Sequence, residues 1–218
     1  TKLYIDTNFL LSDIKKTAFA VSNDDLRPAM MGVYFQIGSD NTKFVATDGH
    51  RLVRLVREDL TSDTPINFIA PAKALNIVIN SFEEGSCDVA VDEEHARFKN
   101  DNTIIISRLI NEQYPNYESV IPRDNDKEMI IEREQMLSTV KRVSIFSSSS
   151  TRQIRLNIEK NALTIRAEDI DMSSEASETI TCEFDNESLE IGFNARYLSD
   201  VLGNVDIDSA KFEFSTPN

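Results

Sequence analysis

An internal duplication is the feature of this sequence that most constrains its fold. The segment LLSDIKKTAFAVSND (10–24) aligns without a gap with MLSTVKRVSIFSSSS (136–150). Farther along, IAPAKALNIVINSF (69–82) aligns with GFNARYLSDVLGNV (192–205). Because both pairs have helical patterning and keep their order, the chain is predicted to contain two copies of one module.

Alternating apolar residues between the two helices of each copy predict antiparallel hairpins. In the first copy, Val33, Phe35 and Ile37 alternate with other residues, and GSDN (38–41) supplies the turn. The second copy alternates on both sides of the turn EKN (159–161), at Leu156, Ile158, Leu163 and Ile165. Each copy therefore predicts an α+β module in which two helices lie on one face of antiparallel sheet.

The two copies differ in length after their second helix. The first continues with three strand-like segments, CDVAV (87–91), ARFK (96–99) and TIIISRLI (103–110), and ends near YPNYESVIP (114–122). The second stops at KFEFSTPN (211–218). By comparison, we expect the second copy to lack its last two strands and to leave a sheet edge uncovered.

Length and composition agree with two domains. A chain of 218 residues with 40% hydrophobic residues can bury a core in each of two domains. The PRDND stretch (122–126) is the predicted linker. The predicted domains are 1–122, which is complete, and 127–218, which lacks its last strands.

Several residues mark helix starts and the buried side of one helix. Asp6 or Thr7 can cap the first helix, Pro71 suits a first helical turn, and Asn194 can cap the last helix. Spacing by three and four residues predicts a buried stripe on the second helix, formed by Leu75, Val78, Ile79 and Phe82.

Other simple features exclude some classes of protein. No apolar run approaches the length of a membrane helix, and the first residues lack the layout of a signal peptide, so a cytoplasmic location is expected. Cys87 and Cys182 stand apart without a CxxC motif and are interpreted as buried thiols. We expect no metal site and no cofactor.

The charges are distributed unevenly. The formal net charge of −14 argues against a generic basic nucleic-acid binder. However, the predicted helix windows (8–22, 71–82, 132–146 and 194–202) hold seven of the 23 basic residues and only four of the 37 acidic residues. If the helices share one face, that face is mildly cationic and could approach a polyanion; alternatively, these side chains only coat solvated helices.

The stretch VATDGHRL (45–52) combines Asp48, Gly49, His50 and Arg51 between apolar runs. Asp48 and His50 could form an acid/base pair, but the Thr-Asp-Gly triplet is also common in turns. Neighbouring side chains on an extended loop usually point apart, and no nucleophile, metal or phosphate-binding motif accompanies them. An enzyme is therefore the weaker interpretation.

Four motifs resemble the β subunit of bacterial DNA polymerase III, the sliding clamp. They are DLRPAMMGVYF (25–35), VATDGHRL (45–52), YPNYESVIP (114–122) and IGFNARYLSDVL (191–202). Their order and spacing resemble the second and most of the third of the family's three domains, without the N-terminal domain. The resemblance implies a head-to-tail homodimeric ring of six similar domains, with helices lining the hole and sheets outside.

The resemblance also implies a peptide-binding pocket for short motifs of the type QLxLF carried by polymerases, clamp-loader subunits and repair proteins. By matched position its residues are Met30, Thr47, Gly49, His50, Arg51, Leu52, Pro115, Val120, Asn194 and Tyr197. Two features depart from the family. Ser119 stands where a close relative carries arginine, and the C-terminal tail that closes the pocket is missing, so weak or incomplete peptide binding is expected.

The same matching assigns two further surfaces. Ile145 and Phe146 would meet the first domain of a neighbouring subunit; alternatively, they complete the core stripe of the third helix. The residues that would face DNA are Asp24, Arg27, Lys73, Lys141 and Arg196. The implied function is a non-catalytic clamp that encircles double-stranded DNA independently of its sequence and tethers the replicative polymerase. The alternative is a peptide-binding scaffold without a role on DNA.

Overall fold

The computed structural model describes residues 2–215 and divides into two units, with the division after Val120. Both contain antiparallel sheets and two helices, which confirms the predicted α+β fold.

Unit 1 contains two four-stranded sheets, with strand orders β4-β3-β2-β5 and β1-β6-β7-β8. Its elements are β1 (Lys2–Asp6), α1 (Thr7–Ala18), β2 (Gly32–Ile37), β3 (Thr42–Thr47), β4 (Leu52–Arg57), β5 (Ile66–Pro71), α2 (Ala72–Ser81), β6 (Ser86–Val91), β7 (His95–Lys99) and β8 (Ile104–Arg108). The 3-10 turn Pro28–Met31 precedes β2, and the 3-10 turn Tyr117–Val120 follows β8. Helix α1 packs against α2, and both contact the sheets.

The elements of unit 2 within residues 2–215 repeat the order that unit 1 has from β1 to β6. They are β9 (Lys127–Glu132), α3 (Arg133–Ser144), β10 (Gln153–Glu159), β11 (Ala162–Asp169), β12 (Ser174–Thr181), β13 (Leu189–Asn194), α4 (Ala195–Gly203) and β14 (Ser209–Phe214). One sheet has the order β12-β11-β10-β13, and β9 pairs with β14 in a second sheet. Helices α3 and α4 pack against each other.

The predicted helix starts are observed. The Asp6 carboxylate accepts from the backbone N–H of Asn8 at 2.9 Å, and Asn194 Oδ1 accepts from that of Arg196 at 3.0 Å. Pro71 occupies the position before α2. The sequence analysis missed Glu132, which caps α3 by accepting from the N–H groups of Glu134 and Gln135.

Helix α1 is shorter than its predicted window. The window reached residue 22, but α1 ends at Ala18. Ala20 N–H and Val21 N–H bond to carbonyl oxygens three residues back, those of Thr17 and Ala18, so the last turn tightens and the chain leaves the helical path.

Each unit has its own hydrophobic core. In unit 1, Leu10 and Ile14 of α1 meet Leu75 and Val78 of α2 in one buried cluster. The predicted stripe on α2 is correct except that Ile79 is only half-buried.

Cys87 and Cys182 are buried free thiols, and burial raises the pKa of Cys87 to about 11. Among the described helices, none is long and apolar enough to span a membrane.

A buried ion pair joins α1 to β4. The Asp13 side chain is only 5% exposed, and its Oδ2 accepts from Arg57 Nη1 at 2.9 Å. Burial raises the pKa of Asp13, and the attraction of Arg57 opposes that rise. Arg57 also bonds Asp59, and its guanidinium lies 4.7 Å from the centre of the Phe9 ring.

Candidate functional site

The Thr-Asp-Gly-His-Arg segment forms a turn that is held by its own hydrogen bonds. Thr47 Oγ1 accepts from Gly49 N–H at 3.1 Å and donates to the Arg51 carbonyl oxygen at 2.7 Å. Asp48 Oδ1 accepts from the backbone N–H groups of His50 and Arg51 at 2.9 and 3.0 Å. Gly49 has φ +89°, a conformation that favours glycine. The turn is therefore preformed.

Arg51 fastens this turn to the end of helix α1. Its Nε donates to Asp48 Oδ2 at 3.2 Å and its Nη2 donates to the carbonyl oxygen of Phe19 at 3.0 Å. The guanidinium also lies 5.3 Å from the centre of the Phe19 ring. The observed contacts of Arg51 are thus those of a residue that positions the turn.

Arg27 makes a second link to the turn. Its Nη1 donates to the Asp48 carbonyl oxygen at 3.1 Å, and its Nε donates to Asp24 Oδ2 at 2.9 Å. A bond from the Leu26 N–H and the bond from Arg27 hold the pKa of Asp24 below its usual value. The predicted DNA-facing residues Asp24 and Arg27 are therefore connected to the predicted peptide-binding turn.

The hydrogen bonds of the Asp48 carboxylate argue against the acid/base interpretation of Asp48 and His50. The Asp48 carboxylate accepts from two backbone N–H groups and from Arg51 Nε. Such a carboxylate stabilises a turn, and these three bonds occupy most of its roughly four acceptor positions. Among the described residues, no group of three or more potential metal ligands comes together.

An aromatic cluster positions the predicted pocket residues Pro115 and Val120. The Tyr34 and Tyr114 rings stack with centroids 4.6 Å apart, and Tyr117 meets Tyr114 edge-on at 6.4 Å. The Tyr117 hydroxyl donates to Gln36, and burial raises the pKa of Tyr117 to about 12. The cluster attaches the 114–120 segment to the sheet that carries the turn.

Glu118 adds an electrostatic attachment that the sequence analysis missed. Its carboxylate accepts from Lys43 Nζ on β3 at 3.2 Å and from Arg54 Nη1 on β4 at 3.1 Å. The bond from Lys43 is the largest cause that lowers the pKa of Glu118. The sequence does show basic residues in two predicted strands and an acidic residue in the YPNYESVIP segment. Only the fold shows that these opposite charges lie close together.

The predicted pocket residues of unit 1 differ in exposure. Met30, Leu52 and Pro115 are half-buried, and Val120 is 67% exposed. Gly49 and His50 are exposed and Arg51 is half-buried, whereas Thr47 is only 7% exposed. The apolar members can therefore contact a ligand, while Thr47 supports the turn from inside.

Asn194 and Tyr197 lie in unit 2, at the start of α4. Asn194 uses both ends of its side chain within the unit: Oδ1 caps the helix, and Nδ2 donates to the Thr151 carbonyl oxygen at 3.2 Å. Tyr197 is half-buried one turn farther on. The contacts of Asn194 give it a structural role.

The basic residues of the helices fall into two groups. Lys73, Lys141 and Arg196 are exposed, and within residues 2–215 their side chains have no hydrogen bond or ion pair. Arg133 instead donates to the carbonyl oxygens of Leu202 and Ile207. Arg142 bonds Glu178 of β12 and Thr139. Of the adjacent pair Lys141 and Arg142, only Lys141 offers an uncommitted charge.

The predicted subunit-contact residues are exposed at the end of α3. Ile145 is 77% exposed and Phe146 is 40% exposed, whereas Val140 and Val143 are buried. Two adjacent apolar side chains are thus outside the core stripe of their helix, where they can contact another surface.

Comparison with known proteins places the chain among replication proteins. Residues 4–116 match the family described as DNA polymerase III beta subunit, central domain, and residues 118–218 match its C-terminal domain. The beta sliding clamp of Caulobacter vibrioides is 31% identical over 224 residues, which cover 100% of this chain and 60% of that protein. For the beta sliding clamp of Bacillus subtilis, the identity is 30% over 92% of this chain and 54% of the relative.

Solved structures of DNA polymerase III beta subunits superpose on this chain. A sliding clamp of Pseudomonas aeruginosa bound to griselimycin superposes with a TM-score of 0.94 at 29% identity, covering 100% of this chain and 60% of that one. The Thermotoga maritima beta subunit has the same fold, with a TM-score of 0.91 at 21% identity over 99% of this chain and 59% of that one. The chain thus spans about 60% of the length of the first relatives it matches. With both of its units matched, the chain belongs to the DNA polymerase III beta subunit family.

Proposed function

We propose that this chain is part of a DNA sliding clamp, which encircles duplex DNA as a ring and tethers the replicative polymerase and other proteins for processive synthesis. The observation that carries the proposal is the match of both units, in order, to two successive domains of the beta subunit. The proposed domains are residues 1–122 and 127–218.

The uncommitted charges support contact with DNA. Lys73 on α2 and Lys141 and Arg196 on α3 and α4 are exposed, and their side chains are unpaired within residues 2–215. Such side chains can meet phosphates without reading bases, because a phosphate contact carries little sequence information. The remaining surface is strongly acidic and would repel DNA elsewhere. Arg27 is proposed as a further DNA-facing residue, although its guanidinium is partly committed to Asp24 and Asp48.

The pocket proposed for partner motifs combines apolar surface with a rigid turn. Met30, Leu52, Pro115 and Val120 can cover the leucine and aromatic side chains of a motif, and Gly49 permits the positive φ that the turn requires. We propose that Thr47, His50 and Arg51 complete its wall, and that Asn194 and Tyr197 of unit 2 also contact partner motifs. Clamps of Pseudomonas aeruginosa and Bartonella birtlesii have been solved bound to griselimycin, so these two relatives bind that compound.

The proposed partners are double-stranded DNA, polymerase and clamp-loader subunits, and a second copy of the full-length protein. Exposed Ile145 and Phe146 are the proposed contacts with that copy. A homodimeric ring acts by enclosing its substrate, so the protein is proposed to be non-catalytic, without a cofactor, and located in the cytoplasm. The alternative, a peptide-binding scaffold without a DNA role, is not favoured by the family match.

The test uses the full-length protein with clamp loader, ATP and DNA that is either circular or linear. A clamp is retained on nicked circles through gel filtration and is lost from linear DNA with free ends. Equal retention on both forms would indicate ordinary DNA binding, and no retention on circles would contradict the proposal. Peptide binding that persists without retention would favour the scaffold alternative.

A further inference from the structure

A small concavity in unit 2 combines hydroxyl and guanidinium groups. It lies between the end of α3 and the start of α4 and has a volume of about 260 Å³. Its wall includes four serines of the 144–149 segment, Ser199 of α4, and the two arginines Arg152 and Arg196. Local sequence patterns assigned no function to the serine-rich segment or to Arg152.

The backbone of Arg152 is strained and firmly held. Its φ is 50°, in the left-handed region that is unfavourable for a residue with a side chain. The Arg152 N–H donates to the Ser148 carbonyl oxygen at 2.8 Å, and its carbonyl oxygen accepts from Ala195 N–H at 2.9 Å. These bonds attach the loop to the first residue of α4. A glycine would adopt this conformation more easily. A function of the Arg152 side chain would therefore explain why arginine occupies this position.

The concavity presents donors to an anion. Within residues 2–215, the guanidinium groups of Arg152 and Arg196 have no hydrogen bond or ion pair, and the hydroxyls of Ser149 and Ser199 have no partner. Asp200 is the one acidic residue in the wall, so the charge of the lining is positive. Two forked cations with two hydroxyl donors suit the oxygens of a phosphate group.

We infer that this concavity binds one backbone phosphate of duplex DNA. This inference rests on the proposed function. Arg152 and Arg196 contact its non-bridging oxygens, and Ser149 and Ser199 donate from the wall. Lys141 lies exposed on the last turn of α3 and is available to a neighbouring phosphate of the same duplex. Arg152 is therefore a DNA-contacting residue in addition to the cations of the helices.

The test is an NMR titration of the 218-residue chain with a short duplex of arbitrary sequence at low salt. Three proteins are compared: the unaltered chain, Arg152→Gly and Arg155→Gln. Glycine relieves the backbone strain, so Arg152→Gly is expected to fold. Arg155 is an exposed arginine of β10 outside this concavity, and its substitution removes the same charge.

The duplex is expected to shift the amide signals of residues 147–152 and 195–199. Arg152→Gly should weaken binding several-fold and reduce the slope of log affinity against log salt by about 1, as loss of one phosphate contact does. Arg155→Gln should change affinity less than about twofold, because Arg155 does not line the concavity and makes none of the proposed phosphate contacts. Equal losses in both variants, or no shift around the concavity, would overturn the inference.

A second titration with inorganic phosphate distinguishes a DNA phosphate from a free anion. Phosphate that competes with the duplex for the same amides supports the inference. Phosphate that shifts them while the duplex neither shifts nor competes would assign the concavity to a free anion and overturn it. The circular-DNA experiment is independent of both titrations: retention of the full-length protein on circles without any shift at the concavity would refute this inference and leave the proposed function intact.

Discussion

Arg27 and Asp48 are joined by a hydrogen bond of 3.1 Å from the arginine Nη1 to the backbone carbonyl oxygen. The bond connects the loop after α1 to the turn that precedes β4. Gly49 follows immediately, and a Cβ atom built on it would approach Arg27 Nη1 to 2.6 Å. The conformation of the turn and the position of Arg27 therefore depend on each other.

Substitution Gly49→Ala should destabilise the protein and weaken peptide binding. The positive φ costs alanine about 1–2 kcal/mol, and the new methyl group must displace Arg27 from Asp48. Chemical denaturation gives the change in the free energy of unfolding, and titration with a QLSLF-type peptide gives the change in affinity. Gly203→Ala is the matched control, since a Cβ atom there meets no atom within 4 Å. Equal effects of the two substitutions would contradict the role assigned to Gly49.

The attachment of the 117–120 turn to β3 and β4 should depend on pH. The Lys43 ammonium lowers the folded-state pKa of Glu118 from its ordinary value of 4.5. The carboxylate therefore contributes its full stabilisation above pH 4.5 and loses it as the pH falls through the lower folded-state value. The near-ultraviolet circular dichroism of the tyrosine cluster should change over that range. Glu118→Gln should remove this part of the change, and an identical pH profile in the variant would show that Glu118 is not responsible.

Removal of Arg57 should be strongly destabilising. Arg57→Ala leaves the Asp13 carboxylate, which is 5% exposed, without its buried partner. Loss of one partner of a buried ion pair typically costs about 3–5 kcal/mol. Arg108→Ala is the control, because Arg108 is 80% exposed and pairs loosely with Glu94 at 3.8 Å; it should cost less than about 1 kcal/mol. Thermal and denaturant unfolding measure the loss of stability in both variants. A small loss for Arg57→Ala would contradict the prediction and would mean that water takes the place of Arg57 beside Asp13.

Substitution Asn194→Ala should reduce stability by about 1 kcal/mol, because the helix cap of α4 and the bond to Thr151 are both lost. Asn80→Ala is the comparison, since Asn80 is exposed and bonds only the preceding turn of α2. Denaturant unfolding should separate the two variants. Reduced peptide affinity with unchanged stability would instead indicate that Asn194 contacts the ligand directly.

The exposed end of α3 should determine subunit association in the full-length protein. Ile145→Asp should raise the dissociation constant of the dimer, measured by analytical ultracentrifugation, because a charged side chain would be buried at the contact. Ile77→Asp is the control, since Ile77 is 48% exposed on α2. A dimer that tolerates Ile145→Asp, or that is weakened equally by Ile77→Asp, would place the subunit contact elsewhere.

Local sequence signals predicted the elements of the fold well, because they depend on near neighbours. The hairpin turns, the caps Asp6 and Asn194, and the stripe of Leu75 and Val78 follow from turn propensity, capping and helical spacing. The end of α1 was predicted too far along the chain, since apolar residues continue past the point where the backbone tightens.

The candidate site was predictable only in part. The resemblance of four motifs identified the turn and the YPNY segment, but not what holds them. The links from Arg51 to Phe19, from Arg27 to Asp48 and from Glu118 to Lys43 and Arg54 join residues far apart in the chain. Their distances depend on strand register and on the packing of α1 against the sheet, which no local pattern specifies.

What the sequence determined by itself is therefore the duplicated order of helices and hairpins and membership of the clamp-like class, because periodicity and repetition are properties of the chain. Only the tertiary structure decided which charges remain available. Lys141 and Arg142 are adjacent in sequence, yet Arg142 bonds Glu178 across the unit while Lys141 is exposed and unpaired within residues 2–215. Whether a cation can meet an external anion depends on the acids that folding brings near it.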